Sequence, residues 1–290
     1  MKLIIKTLLK FVLISSLIYN LYVTDYLENI ILSKRQKEKS LIKIFIMTHK
    51  DFMNKRYNPI YYIVADDKKK LKHKYNLNII NTKTGKLYKM RRAYGEMSKV
   101  YFIYQMYKEK KISSKYIGLN HYRRYFEFTD QLPDLDDIFE NYDVILPEKN
   151  YLNLSVKERY CIGHICEIFI DSINIIKKIK PDYYDNAMKF ANNTNIYYFN
   201  IFIMKIEDFY KYCEFMFDIL FELNKKYNFK TDYDVLQYSK KFFKDTKTAI
   251  RQSRIYGFIS ERLSNIFYNK HFKRIKEIKI LKDNEILLII

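Results

Sequence analysis

"LIKIFIMTHK", residues 41–50, is the stretch on which the fold turns. Positions 41–47 form a continuous β-type run without the polar alternation of a half-exposed strand. The segment is therefore expected to be a buried first strand of an α/β sheet. It stops at Thr48, His49 and Lys50, three polar groups at a strand's carboxyl end. Outward from it, "IYYIV" (60–64) is expected as a second strand, and "KYIGL" (115–119) as a strand leading into a cationic knot. "DVIL" (143–146) is another, stopped by Pro147.

Helical patterns fall between these runs. Met97, Val100, Tyr101, Tyr104 and Tyr107 follow helical spacing and predict an amphipathic helix over about 94–110. Ser155-Val156-Lys157-Glu158 has capping-box form and starts a helical region that Gly163 interrupts and Pro181 closes. "NIYYFNIFIM" (195–204) reads as a strand running into a helix whose apolar stripe is Phe209, Tyr212, Cys213, Met216, Ile219, Leu220 and Leu223. After about 229 the chain reads as polar and basic, apart from "YGFISERLSNIF" (256–267) and the apolar end "EILLII". Alternating strands and helices define an α/β class with a mixed, mainly parallel central sheet.

The chain has 290 residues and 48% hydrophobic content, enough for one good-sized core. Its formal charge of +20 favours polyanions. Lys, Asn, Ile, Tyr and Phe are all abundant and Trp is absent, as AT-rich coding produces, so local clustering of charge is the better guide. Three cysteines, Cys161, Cys166 and Cys213, lack metal-ligand spacing. Cys161 and Cys166 lie in a helical pattern, and reduced cytosolic thiols are expected.

The first 40 residues stand apart. Lys2, Lys6 and Lys10 share one face of a helix, and Phe11 to Val23 is an uncharged, mostly apolar run. No small-residue cleavage site follows. An uncleaved anchor, an interfacial amphipathic helix over 3–23 and a buried helix remain as readings, the first two favoured. Positive charge in "SKRQKEK" (33–39) leaves orientation open, and the cytoplasmic face of a membrane is the expected location. The chain thus divides into a membrane-associating segment and basic linker (1–40), an α/β domain (41–270) and a basic, apolar tail (271–290).

The chemistry concentrates in "YIGLNHYRRYFEF" (116–128). No P-loop and no G-x-G-x-x-G is present, and five glycines leave little room for a glycine-built phosphate cradle. Arginine forks are the alternative, since they pair bidentately with phosphate oxygens. Arg123 and Arg124 follow the carboxyl end of a strand, where open α/β sheets bind ligands. His121 is placed to donate to a phosphate or to move a proton near neutral pH. The ordinary structural account pairs one arginine with a carboxylate while Tyr122 and Tyr125 pack. Neighbouring side chains on extended backbone point opposite ways, so the two arginines are expected to differ in role.

"IKIFIMTHKDF", "YIGLNHYRRYF", "NIFIMKIEDFYKYCEFMFDILFE" and "YGFISERLSNIF" occur in that order. Together they resemble a bacterial domain-of-unknown-function family found among capsular, exopolysaccharide and lipopolysaccharide glycosyltransferases, over about 42–270, with "HYRRYF" the most specific motif. The resemblance implies a single GT-A-like domain and a nucleotide-sugar-dependent glycosyltransferase. It implies that Thr48, His49 and Lys50 seat the nucleotide, and that Glu96 fills the family's acidic position in a Tyr-x-Glu context. Complementing a helix dipole is an equally good account of Glu96. His121 to Arg124, Tyr122 included, stand where better-known GT-A enzymes carry the metal-binding Asp-x-Asp. Asn200 resembles a strand-end Asn facing the sugars. Glu261 and Arg262 would form a late acidic-basic pair near the site, or an ordinary helical salt bridge. His164 matches a family histidine, but Glu167 follows it where an Asp is usual, and Asn200-Ile201-Phe202 stands for the usual Asn-Met-Phe.

Literal Asp-x-Asp occurs at Asp134-Leu135-Asp136, read as a helix N-terminus, and at Asp232-Tyr233-Asp234 in the polar tail. No cofactor is expected, and a divalent cation, Mn or Mg, stays as the alternative. The expected catalytic set is His121, Arg123, Arg124 and Glu261, with arginine and histidine stabilising the leaving diphosphate in place of a metal. The partners this implies are a nucleotide-sugar donor, a glycan or lipid-linked saccharide acceptor and an anionic membrane surface, with no nucleic acid. A non-catalytic nucleotide-sugar or glycan-binding protein of the same fold is the second reading. A basic nucleic-acid-binding protein, drawing on "KHFKRIKEIK" (270–279), is the third.

Overall fold

A computed structural model describes residues 41–52, 60–72, 77–128 and 133–282, with positions 19, 23, 24 and 27 before them. The chain divides into two compact units, Met1–Leu41 and Ile42–Ile290. The expected hydrophobic helix over 3–23 lies outside the described residues, apart from Tyr19 and Val23. No helix among the described residues is long and apolar enough to cross a membrane.

The second unit is an α/β domain. Its strands are β1 (Ile42–Thr48), β2 (Tyr61–Ala65), β3 (Asn78–Asn81), β4 (Tyr116–His121), β5 (Arg124–Phe126), β6 (Val144–Pro147), β7 (Asn150–Tyr151), β8 (Asn195–Ile196), β9 (Phe202–Lys205), β10 (Ile275–Ile278) and β11 (Ile280–Lys282). The central sheet runs in the order β10-β6-β9-β4-β1-β2-β3, with β5 on β4 and β11 on β5. β3, β2, β1 and β4 are parallel, as are β10 and β6, while β9 runs antiparallel between β4 and β6. The mixed, mostly parallel sheet expected from the sequence is therefore present.

Every residue of β1 is buried, which explains its unbroken apolar run. Lys43 is accommodated by passing its ammonium to the Ser113 carbonyl, 2.5 Å away. Gly118 suits tight packing, because a Cβ there would meet Ile44 Cγ1 at 3.0 Å and Ile203 Cγ1 at 3.2 Å. Helices Met97–Lys108 and Ile206–Tyr227 cover the sheet through an aromatic layer, with Tyr101 edge-on to Phe217 at 4.8 Å.

Several expectations need correction. Residues 195–204 are not one strand: β8 and β9 flank an irregular turn in which Phe199 and Asn200 take φ of 80° and 50°. The stretch after 229 holds helices Asp232–Lys240, Thr246–Gln252 and Ile255–His271, the first two begun by Thr231 and Asp245 caps. Residues 275–282, set within the tail in the sequence reading, supply β10 and β11 to the central sheet. Cys161 and Cys166 are joined as a disulfide rather than held as free thiols, while Cys213 is free and buried. Helix Val156–Gly163 ends between them and a new helix starts at Cys166, so their Cα atoms come within 4.3 Å. One continuous helix would have kept them too far apart.

Candidate active site

The chain adds strands to one side of β1 (β2, then β3) before crossing to the other side as β4. At such a switch point the carboxyl ends of adjacent strands leave a crevice. A cavity of about 700 Å3 lies there, lined by Thr48 from β1, Asp66 just past β2, and His121 to Arg124 from the β4–β5 turn. Glu96, Lys99, Phe199, Arg254 and Glu261 face it from the surrounding elements, and Arg91, Arg92 and Arg251 belong to the same lining.

The β4–β5 turn is tight. His121 pairs directly with Arg124 across it, and the Tyr122 amide bonds the Met47 carbonyl at 3.2 Å. Neighbouring side chains on extended backbone would point opposite ways, but Arg123 lies in the turn itself, and both arginine side chains line the cavity. Buried Tyr122 forms a platform, with the Arg123 guanidinium 4.9 Å and the Lys50 ammonium 5.6 Å from its ring centre. Arg124 stacks at 4.0 Å on Phe199. Its Nε is buried with no hydrogen-bond partner among the described residues. Burial and the neighbouring Arg123 charge lower its pKa.

Phe199 organises the centre through its backbone. Its backbone lies close to both His121 and Glu261, raising the pKa of the first and lowering that of the second. Few non-glycine residues take a φ of 80°, and here that conformation sets both peptide groups toward the site. Burial, partly offset by Glu96, lowers the pKa of His121. Its Nε2 is buried and unpartnered among the described residues.

Glu96 opens helix Met97–Lys108 and makes no side-chain cap there, so dipole complementation is not its main contact. Gly95, at φ 56°, provides the sharp turn that aims it inward. Its carboxylate accepts the Asn200 amide at 2.9 Å and lies 3.4 Å from Arg254. Burial pushes its pKa up, but His121, Arg254 and Asn200 together hold it below the usual glutamate value. Glu261 goes the other way: burial raises it, the Glu96 charge adds to that, and Arg262, 2.8 Å away, only partly compensates.

Four expected site residues do not line the cavity. Lys50 is exposed, its amide bonded to Thr48 Oγ1 at 3.2 Å in the turn after β1. Asn200 is buried beneath the floor and fully engaged by Glu96, Ser260 and Ser264. Arg262 packs between Tyr160 and Tyr198 and donates to Glu261 and to the Phe258 carbonyl, two residues of the lining. His164 bonds Gln252 at 2.8 Å and stacks on Phe258 at 4.1 Å, and burial lowers its pKa to about 4. His49 and Thr48 do line the cavity. Partial burial and the Lys99 charge lower the His49 pKa.

Sequence reasoning passed over Asp66, Lys99, Phe199 and four arginines. Asp66 carried a signal, since "VADD" (64–67) ends an apolar strand run. So did Arg91-Arg92, four residues ahead of Glu96, and Arg254 just before the "YGFISERL" block. Nothing local marked Phe199.

Neither Asp-x-Asp forms a metal site. Asp134 caps a helix through the Asp136 and Asp137 amides, and Asp136 holds Lys115 and Tyr116. Asp232 lines the cavity, but its oxygens accept the Arg92 and Ala93 amides. Asp234 closes a capping box with Thr231. No group of three or more His, Cys, Asp or Glu among the described residues is placed to hold a metal ion. At the β4 end the donor set is imidazole, phenol and two guanidiniums, which suits an anion and does not fit a hard cation.

Fold and site together define an open α/β domain with a cation-lined crevice at its switch point. The chain belongs to the family described as Domain of unknown function (DUF4422), whose model matches residues 43–273. Among solved structures it is similar to one titled "WbbM bifunctional glycosyltransferase apo structure", with a TM-score of 0.63 and 20% sequence identity. The match covers 83% of this chain and 45% of that one, so this chain spans under half of the larger protein's length. A search of curated proteins found no match.

Proposed function

We propose that this chain is a glycosyltransferase that moves a sugar from a nucleotide-sugar to a glycan or glycolipid acceptor, in polysaccharide biosynthesis. One observation carries the reading most: Arg123 and Arg124 both face the switch-point crevice, beside a carboxylate whose pKa is raised. The fold likeness to a glycosyltransferase supports it. In the reaction the acceptor hydroxyl oxygen bonds the anomeric carbon and the bond from that carbon to the diphosphate breaks. Glu261 takes the hydroxyl proton, its raised pKa bringing it nearer the working pH. Arg123 and Arg124 take the charge that develops on the leaving diphosphate. His121 donates to a phosphoryl oxygen through a ring N–H. The segment 3–23 holds the domain at an anionic membrane surface, on the cytoplasmic face, near lipid-linked acceptors.

The test is binding and hydrolysis of a panel of nucleotide-sugars by the full chain, with and without EDTA and manganese. One donor should bind and slowly release its nucleoside diphosphate, with EDTA making no difference. Arg123→Ala and Arg124→Ala should each lower turnover by about two to three orders of magnitude. Activity that requires manganese would discard the arginine account and keep the enzyme. Binding of no donor at all would remove the enzyme reading.

A further inference from the structure

The cavity holds more positive charge than a donor diphosphate needs. Eight lysine and arginine side chains line it against four carboxylates, Asp66, Glu96, Asp232 and Glu261. Those carboxylates are already engaged. Lys99 lies 2.6 Å from Asp66, Arg254 lies 3.4 Å from Glu96, and Glu261 is met from behind by Arg262. Asp232 is committed to two backbone amides. Among the described residues, Lys70, Arg91, Arg92, Arg123, Arg124 and Arg251 have no carboxylate in ion-pair contact.

Arg123 and Arg124 sit at the strand end and are assigned above to the diphosphate. The other four come from separate elements: Lys70 from the turn after β2, Arg91 and Arg92 from helix Arg91–Tyr94, and Arg251 from helix Thr246–Gln252. Lys70, Arg92 and Arg251 are exposed, and Arg91 is half-buried. Asp232 pins the helix that carries Arg91 and Arg92, and the Arg91 guanidinium lies 4.4 Å from the Tyr88 ring centre and bonds the Tyr88 carbonyl. Like charges drawn into one concavity repel, and that repulsion opposes the folded state until an anion relieves it. A nucleotide-sugar carries one charge on each phosphoryl group, half of the excess.

We infer that the cavity binds a second anionic group, a phosphate or carboxylate carried by the acceptor, between Arg92 and Arg251. The inference rests on the glycosyltransferase reading and narrows it: the acceptor is an acidic or phosphate-linked saccharide, not a neutral one. Guanidinium forks suit either anion, since both present paired oxygens.

The experiment is calorimetric titration of the full chain. Nucleoside diphosphates are screened first, and the one that binds is brought to saturation. Glucose 1-phosphate and glucuronate are then titrated separately, which distinguishes a phosphate from a carboxylate. At least one probe should bind the saturated protein. Arg92→Gln and Arg251→Gln should each weaken that second event by about tenfold and the nucleoside diphosphate by much less, while Arg124→Gln should do the reverse. Thermal melts of each variant separate lost contacts from lost folding, and Arg251→Gln carries the test if Arg92→Gln does not fold. Competition between probe and nucleoside diphosphate, or no second event with either probe, overturns the second site and leaves the transferase reading standing. Failure of every nucleoside diphosphate to bind overturns the transferase reading itself.

Discussion

Glu96 and Glu261 face one cavity, and their surroundings drive them in opposite directions. On the Glu96 side every partner favours charge: the Asn200 amide donates to it, Arg254 lies beside it, and Asn200 is itself fixed by Ser260 and Ser264. On the Glu261 side burial dominates, and the Glu96 charge raises its pKa further. The difference separates a carboxylate held ionised by its partners from one whose proton affinity is raised, the one we propose as the base. Two carboxyl groups with divergent pKa values in one cleft are what acid–base catalysis requires.

The sharpest way to break this comparison is to neutralise each acid alone. Glu261→Gln should lower turnover by about two to four orders of magnitude while nucleoside diphosphate affinity and melting temperature stay close to the parent. The acid limb of the parent's pH–rate profile should lie above the ordinary glutamate pKa, because turnover falls as Glu261 gains a proton, and that limb should vanish in the variant. A variant that keeps turnover removes Glu261 as the base.

Glu96→Gln should instead register as lost stability, about 2–3 kcal/mol in urea unfolding, because Arg254 loses its partner and a buried acceptor is replaced. The pH dependence has a definite sign. Glu96 has a folded pKa below its unfolded value, so its contribution is present above the ordinary glutamate pKa and disappears as pH falls through the folded one. The parent should lose that increment in acid and Glu96→Gln should not. Equal acid sensitivity in the two proteins would show that Glu96 is not held ionised.

These two acids also show how far the sequence carries. Glu96, Glu261, His121 and both arginines were legible because they sit in motifs beside strongly patterned strands and helices. β1, β2, β4 and β6 were legible because burial on both faces leaves unbroken apolar runs. The turn at 197–201 was not, because Phe199 and Asn200 are aromatic and polar residues with no local mark of positive φ, and tertiary contacts to His121, Glu261 and Glu96 set it. β10 was hidden for a different reason. Its residues are mostly half-buried at the sheet edge, so "IKEIKILK" (275–282) reads as basic surface until its pairing with β6 is known. The disulfide depended on where a helix breaks, which is a matter of one or two residues.

His164 provides the smallest and most selective test, because it separates the cavity from the layer behind it. It matched a family histidine, yet it lies outside the lining, bonded to Gln252, which in turn donates to the Gly163 carbonyl at 2.7 Å. Burial lowers its pKa from 6.5 to about 4. The unfolded chain therefore binds a proton that the folded chain refuses between those values, and stability falls as pH is lowered through that window. By pH 5 the loss should be about 1–2 kcal/mol, and His164→Gln should flatten that part of the curve while turnover at neutral pH changes little. If His164→Gln instead lowered turnover by an order of magnitude or more with its pH–stability curve unchanged, the histidine would act on substrate. The boundary between site and support would then lie beyond Phe258, whose ring now separates His164 from the cavity.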